Sequence, residues 1–109
     1  HRIPIEKKQK IHTLPASSII AIEAQGRKVI VHTTLGDFNS VKNMQYWFTC
    51  LPKNCFFQTH RSFIINFEHV TDFDHTLIHM ADNHFHAYLT KRKYSEFKEA
   101  YLLYLESTR

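Results

Sequence analysis

Three groups of basic residues stand where chain-reversal signals predict loops. They are Arg27 beside Gly26, the pair His60-Arg61, and the run Lys91-Arg92-Lys93 at the start of an amphipathic helical pattern. The last is the most informative. Cations in the first turn of a helix oppose the macrodipole and forfeit about 0.3–1 kcal/mol each, so three in succession point to an anion supplied from outside. Lys and Arg facing a nucleic-acid backbone release condensed counterions, and an arginine can also fork onto O6 and N7 of a guanine. Charge pattern alone leaves a solvated surface run as the alternative.

Two further constellations carry weaker signals. His79, His84 and His86 fall on one face of a predicted hairpin, and three imidazoles with an open position can hold zinc. No carboxylate stands out as their partner, so the group is read as an exposed polar strand face and no metal or cofactor is assigned. Ser62 beside His60, and Cys50 or Cys55 near it, supply nucleophile types without an elbow or an orienting acid. No catalytic residue is assigned. The two cysteines flank Pro52 among Trp47, Phe48, Phe56 and Phe57 and read as reduced, packed thiols.

The elements that must position these residues come from 109 residues with a formal net charge of +4 at pH 7 and 43% hydrophobic side chains, 14% being aromatic. Length and apolar content support one domain over residues 1–109 with its own core. No apolar run approaches the ~20 residues that span a bilayer, and the first residues lack a secretory apolar segment. The expected compartment is the cytoplasm.

Along the chain, Ile3 to Leu14 alternates imperfectly with lysines between, the pattern of a charge-protected edge strand. Ile19 to Thr33 reads as a hairpin about Gln25-Gly26, which sets Ile22 opposite Val29, Ile20 opposite Val31 and Glu23 opposite Lys28. Gly36-Asp37 marks a turn before a short strand, and Val41, Met44, Phe48 and Leu51 recur at helical spacing until Pro52. Phe56 to Asp74 returns to β character. Thr76 to Leu89 forms a hairpin around Asp82-Asn83, with Ile78, Met80, Phe85 and Ala87 on one face. A helix from Lys91 to about Glu106, capped by Thr90, presents the stripe Tyr94, Phe97, Tyr101, Tyr104 and Leu105. The chain is therefore mainly β with a short mid-chain helix and a C-terminal helix. A helix-turn-helix is excluded, because the whole region from Phe56 to Leu89 separates the two helices. If this chain meets a nucleic acid, loops must do it.

The segment Phe56-Phe57-Gln58-Thr59-His60-Arg61-Ser62-Phe63-Ile64-Ile65-Asn66, preceded by Ile19 to Ala24 and followed by Thr90-Lys91-Arg92-Lys93-Tyr94, resembles the LytTR family. These are DNA-binding output domains of bacterial response regulators, and the likeness covers nearly the whole chain. It implies an elongated fold of several small antiparallel sheets whose edge loops, rather than a recognition helix, enter successive major grooves on one side of the duplex. It also implies an upstream receiver domain belonging to a two-component system, with His1 as the start of a fragment, and binding as a homodimer to double-stranded DNA with repeated half-sites.

By match to that pattern, Arg27 and Arg92 face major grooves and Arg61 lies over the minor groove between them. Lys28, Lys42, Lys91, Lys93, His60 and Ser62 are the phosphate candidates, which position without specifying. His60 has packing as its alternative role, and Ser62 and Asn66 have the satisfaction of backbone groups. Gln58 and Thr59 depart from the family pattern, which often has a basic residue and an aliphatic there. The competing reading is a protein-interaction module that uses exposed sheet edges for strand addition.

Overall fold

A computed structural model describes residues 2–108, so His1 and Arg109 lie outside the described residues. Ten strands and two α-helices make up this region: β1 (Arg2–Lys7), β2 (Lys10–Pro15), β3 (Ile19–Gln25), β4 (Lys28–Thr33), β5 (Gly36–Ser40), α1 (Met44–Cys50), β6 (Phe56–His60), β7 (Phe63–Asn66), β8 (Val70–Phe73), β9 (Leu77–Met80), β10 (Phe85–Tyr88) and α2 (Tyr94–Ser107). They form three antiparallel sheets. A five-stranded sheet of order β5-β4-β3-β7-β6 is central, and β1-β2 and β10-β9-β8 form the smaller two. The molecule is longest in one direction, with extents of 40 × 33 × 25 Å.

Alternating residues of the central sheet feed two cores. Ile19, Ile22, Val31 and Ile64 pack against Ile3 and Ile5 of the hairpin and Trp47 and Leu51 of the α1 region. On the other face Ala21, Phe63 and Ile65 pack against Ile78, Met80, Ala87 and Phe97. A β-bulge between Ile19 and Ala21 interrupts the alternation in β3. It sends Ile20 to the second core, although simple alternation places it beside Ile22. Asn66, 1% exposed, ties the end of β7 to the start of β3: its amide donates to the Ile19 carbonyl at 2.9 Å and its Oδ1 accepts from Glu68 N–H at 3.0 Å. That is the backbone-satisfying role expected of it.

Several expectations are corrected locally. Ile3 to Leu14 is a hairpin rather than one strand, reversing at Lys8-Gln9. The turn after β3 is Gly26-Arg27, with Gly26 at φ +60° in the first central position, as a type II′ hairpin requires. The register therefore pairs Ile22 with Val31, Ala24 with Val29 and Glu23 with Ile30, and no Glu23–Lys28 pair forms. The β4–β5 reversal lies at residues 34–35, and Gly36 begins the strand. Helix α1 is shorter than its apolar spacing predicts because Asn43 caps it, accepting from Tyr46 N–H at 2.9 Å. Its buried residue is Trp47, while Val41 and Phe48 are exposed. Thr90 does not cap α2: Lys91 to Lys93 form a separate 3-10 turn, and the Thr90 hydroxyl is buried without a hydrogen bond. Leu105 is exposed, and Ala100 takes its place beside Phe97 and Tyr101.

Candidate nucleic-acid interface

Strand directions bring the basic loops to one end of the central sheet. Because β3 and β7 are antiparallel with Glu23 opposite Phe63, the Gly26-Arg27 turn and the Arg61-Ser62 turn are neighbours, and Ala24 N–H donates to the Ser62 carbonyl at 2.9 Å. Ser40 pairs with Val29, so Lys42 emerges at the same end beside Lys28. Its backbone is anchored there. Lys42 N–H donates to Ser40 Oγ at 2.9 Å, and the Trp47 indole N–H donates to the same oxygen at 2.9 Å, tying the segment to α1.

The third loop is fastened to the last strand of the same rim. Thr90 N–H donates to the Thr59 carbonyl at 3.0 Å, and the Thr59 hydroxyl donates to the Tyr88 carbonyl at 2.8 Å. The hydroxyl at position 59 thus holds the chain leading into the 3-10 turn, an arrangement an aliphatic side chain could not make. Lys93 Nζ donates to the Gln58 carbonyl at 2.9 Å, a second tether that occupies one of its three N–H groups. Arg61 and Arg92, with His60, Gln58, Thr90 and Lys93, line one open cleft of about 340 Å³.

Arg27, Lys28, Lys42, Arg61, Lys91 and Arg92 are exposed, and Lys93, His60 and Ser62 are half-buried. His60 shapes the central loop. Its Nδ1 accepts from Ser62 N–H at 3.0 Å, which leaves Nε2 as the protonated nitrogen of the neutral ring, and the ring packs near Phe63 and Tyr88. The Ser62 partner of His60 is thus the backbone amide, so the pair does not form a nucleophile–base couple. Two carboxylates of the central sheet are engaged by one imidazole: Glu23 Oε1 lies 2.8 Å from His32 Nε2, and Asp37 Oδ1, towards the opposite end of β5, lies 3.0 Å from His32 Nδ1.

The remaining candidates separate. His79 and His86 meet edge to face at 4.8 Å, but His84 turns its Nδ1 to the Ala81 carbonyl at 2.7 Å. The carboxylate that sequence failed to show is Asp72, whose Oδ1 lies 2.5 Å from His79 Nδ1, brought across by β8–β9 pairing. Among the described residues no group of three or more His, Cys, Asp or Glu side chains could hold a metal ion. Both cysteines are free and half-buried against the first core, and burial pushes both thiols up, away from the reactive thiolate. No helix among the described residues is long and apolar enough to cross a membrane.

Fold and rim together define a mainly β domain that presents three arginine-bearing loops at one end of a sheet. The profile of the LytTr DNA-binding domain matches residues 9–102, and the chain belongs to that family. Among curated proteins it is 29% identical over 75 residues to the sensory transduction protein LytR of Staphylococcus epidermidis, covering 69% of this chain and 30% of that one. It is 33% identical over 72 residues to the transcriptional regulatory protein NatR of Bacillus subtilis, covering 66% and 31%. It is 26% identical over 102 residues to the transcriptional regulatory protein YpdB of Escherichia coli O6:H1, covering 89% and 42%. The chain thus spans well under half the length of these relatives. The fold matches a solved LytTr DNA-binding domain of a methyl-accepting/DNA response regulator from Bacillus cereus with a TM-score of 0.73 and 24% identity, covering 93% of this chain and 95% of that one.

Proposed function

We propose that residues 1–109 act as a sequence-specific binder of double-stranded DNA, reading it with loops at the sheet rim. The observation that carries the reading is that the loops bearing Arg27, Arg61 and Arg92 lie at one end of the central sheet, which supports contact of all three with a single duplex. Arg27 and Arg92 read base edges in successive major grooves, and Arg61 lies across the minor groove between them. Lys28, Lys42, Lys91 and the free N–H groups of Lys93 contact phosphates, as do the His60 Nε2–H and Ser62. In the longer protein this domain is the output of a two-component response regulator in the bacterial cytoplasm, joined to an upstream receiver and binding repeated half-sites as a homodimer.

Selection from a random duplex library with the intact domain, repeated with Arg92→Ala, tests the reading. A defined motif should emerge, and the variant should relax it at one position. Recovery of no motif, with binding indifferent to salt, would refute sequence-specific DNA recognition and favour the strand-addition module.

A further inference from the structure

We infer that the tip of the N-terminal hairpin, Lys7, Lys8 and Lys10, is a fourth DNA-contacting element that grips phosphates beyond the β5 side of the rim. The inference rests on the reading of the rim as a DNA surface and adds residues that the three loops do not include. Lys7 and Lys8 also precede the span matched by the family profile, which begins at residue 9.

The tip is built against its own folding preferences. Lys8 and Gln9 both occupy the left-handed region, with φ of 50° and 64°, in a two-residue turn that favours Asn-Gly or Asp-Gly. Residues other than Gly, Asn and Asp are uncommon there, so folding preference alone does not account for lysine at the tip. Lys7 and Lys10 are direct cross-strand partners, so like charges face each other where an opposite pair would stabilise. Three lysines held together in this way lose Coulomb energy unless an anion arrives. The side chains of Lys7, Lys8, Lys10 and His12 line a concavity of about 290 Å³, with no carboxylate among them.

Location selects the anion. Glu6, at the base of the tip, shares a depression with Ser40, Val41 and Lys42, the last of the rim cations, and Lys7 Nζ lies 4.9 Å from the centre of the Phe38 ring in β5. The tip therefore lies beyond the β5 edge of the sheet, on the side of Lys42, the outermost cation of the row Arg92, Arg61, Arg27, Lys28 and Lys42. A duplex lying along that line carries one charge per ~1.7 Å of axis, which gives the tip phosphates to meet without any base to read.

The test is the triple variant Lys7→Gln/Lys8→Gln/Lys10→Gln, measured against the wild-type domain by fluorescence anisotropy on a selected duplex and on an unrelated duplex of equal length, across a salt series. The slope of log K against log salt should become shallower by about 2–3, at ~0.9 for each phosphate that is no longer neutralised. Affinity should drop on both duplexes, the preferred sequence should stay the same, and the variant should melt no lower than wild type because the opposed charges are gone. An unchanged slope in a folded variant would overturn the inference while leaving the rim intact. Loss of sequence preference would overturn it too, by placing the tip on bases. Failure of the wild-type domain to bind either duplex would refute the rim reading, and this one with it.

Discussion

At the scale of single residues, the proposed DNA reading divides the rim into side chains that read bases and side chains that position the duplex. Arg92 is exposed in the cleft it shares with Arg61, so Arg92→Ala should cost about 1–3 kcal/mol of specific affinity and relax one base pair, as measured by binding to single-position variants of a selected site. Lys93 is different, because its ammonium holds the Gln58 carbonyl. Lys93→Ala should weaken all duplexes alike and also lower stability by about 0.5–1.5 kcal/mol, the net worth of one hydrogen bond, read from urea unfolding. His60 shapes the Arg61 turn through Nδ1, so an acceptor at that position should suffice to hold the loop. His60→Asn should keep more of the sequence preference than His60→Ala, a comparison that repeated library selection makes directly.

At the scale of elements, side chains that satisfy backbone groups decide where strands and helices begin. Asp74 Oδ1 accepts from Thr76 N–H at 2.8 Å and Leu77 N–H at 3.0 Å, closing the turn into β9. These amides hold its carboxyl below the ordinary carboxylate value. A depressed acid stabilises the fold above its unfolded pKa, and that contribution disappears as pH falls through the lowered value. Asp74→Ala should therefore flatten the acid side of the stability curve, measured by urea midpoints between about pH 2 and pH 6. Length and cap reveal themselves differently in α1. Its apolar spacing extends from Val41 to Leu51, yet the helix begins at Met44 because Asn43 supplies the N-terminal acceptor. A position three residues before Tyr46 with a carboxamide was visible in the chain, whereas the exposure of Val41 followed only from where the loop after β5 had to go.

At the scale of the whole molecule, the central sheet joins the two cores to the rim. Phe97 is fully buried against Phe57, Phe67 and Phe73, so Phe97→Ala should cost about 3–5 kcal/mol and loosen α2 and the Arg92 loop together. Tyr101 and Tyr104, packed in the same cluster, have phenols that burial raises above the ordinary value of 10.0. An acid raised by burial favours the fold while it stays neutral, so stability should fall as pH climbs past about 10, seen as a dropping melting temperature. DNA binding by the rim should weaken roughly 10³-fold between 50 and 200 mM salt if about six phosphates are neutralised.

Much of this protein was legible in the chain. Short apolar runs rich in β-branched residues mark β3, β4 and β7, apolar residues on one face mark β9 and β10, and the 3.6-residue stripe Tyr94, Phe97, Tyr101, Tyr104 marks α2, because these patterns report which side chains must leave water. The arginines beside turn signals were equally visible, since loops carry charge that a core cannot. Register and company were not. The bulge after Ile19, the reversal at Lys8-Gln9 and the pairing of Asp72 with His79 depend on which strands meet. A one-residue change in pairing moves a side chain to the other face of a sheet at no cost visible in local sequence. Only the packed fold, through the antiparallel meeting of β3 with β7 and the fastening of Thr90 to Thr59, brings three arginine-bearing loops that are distant in the chain to one end of one sheet.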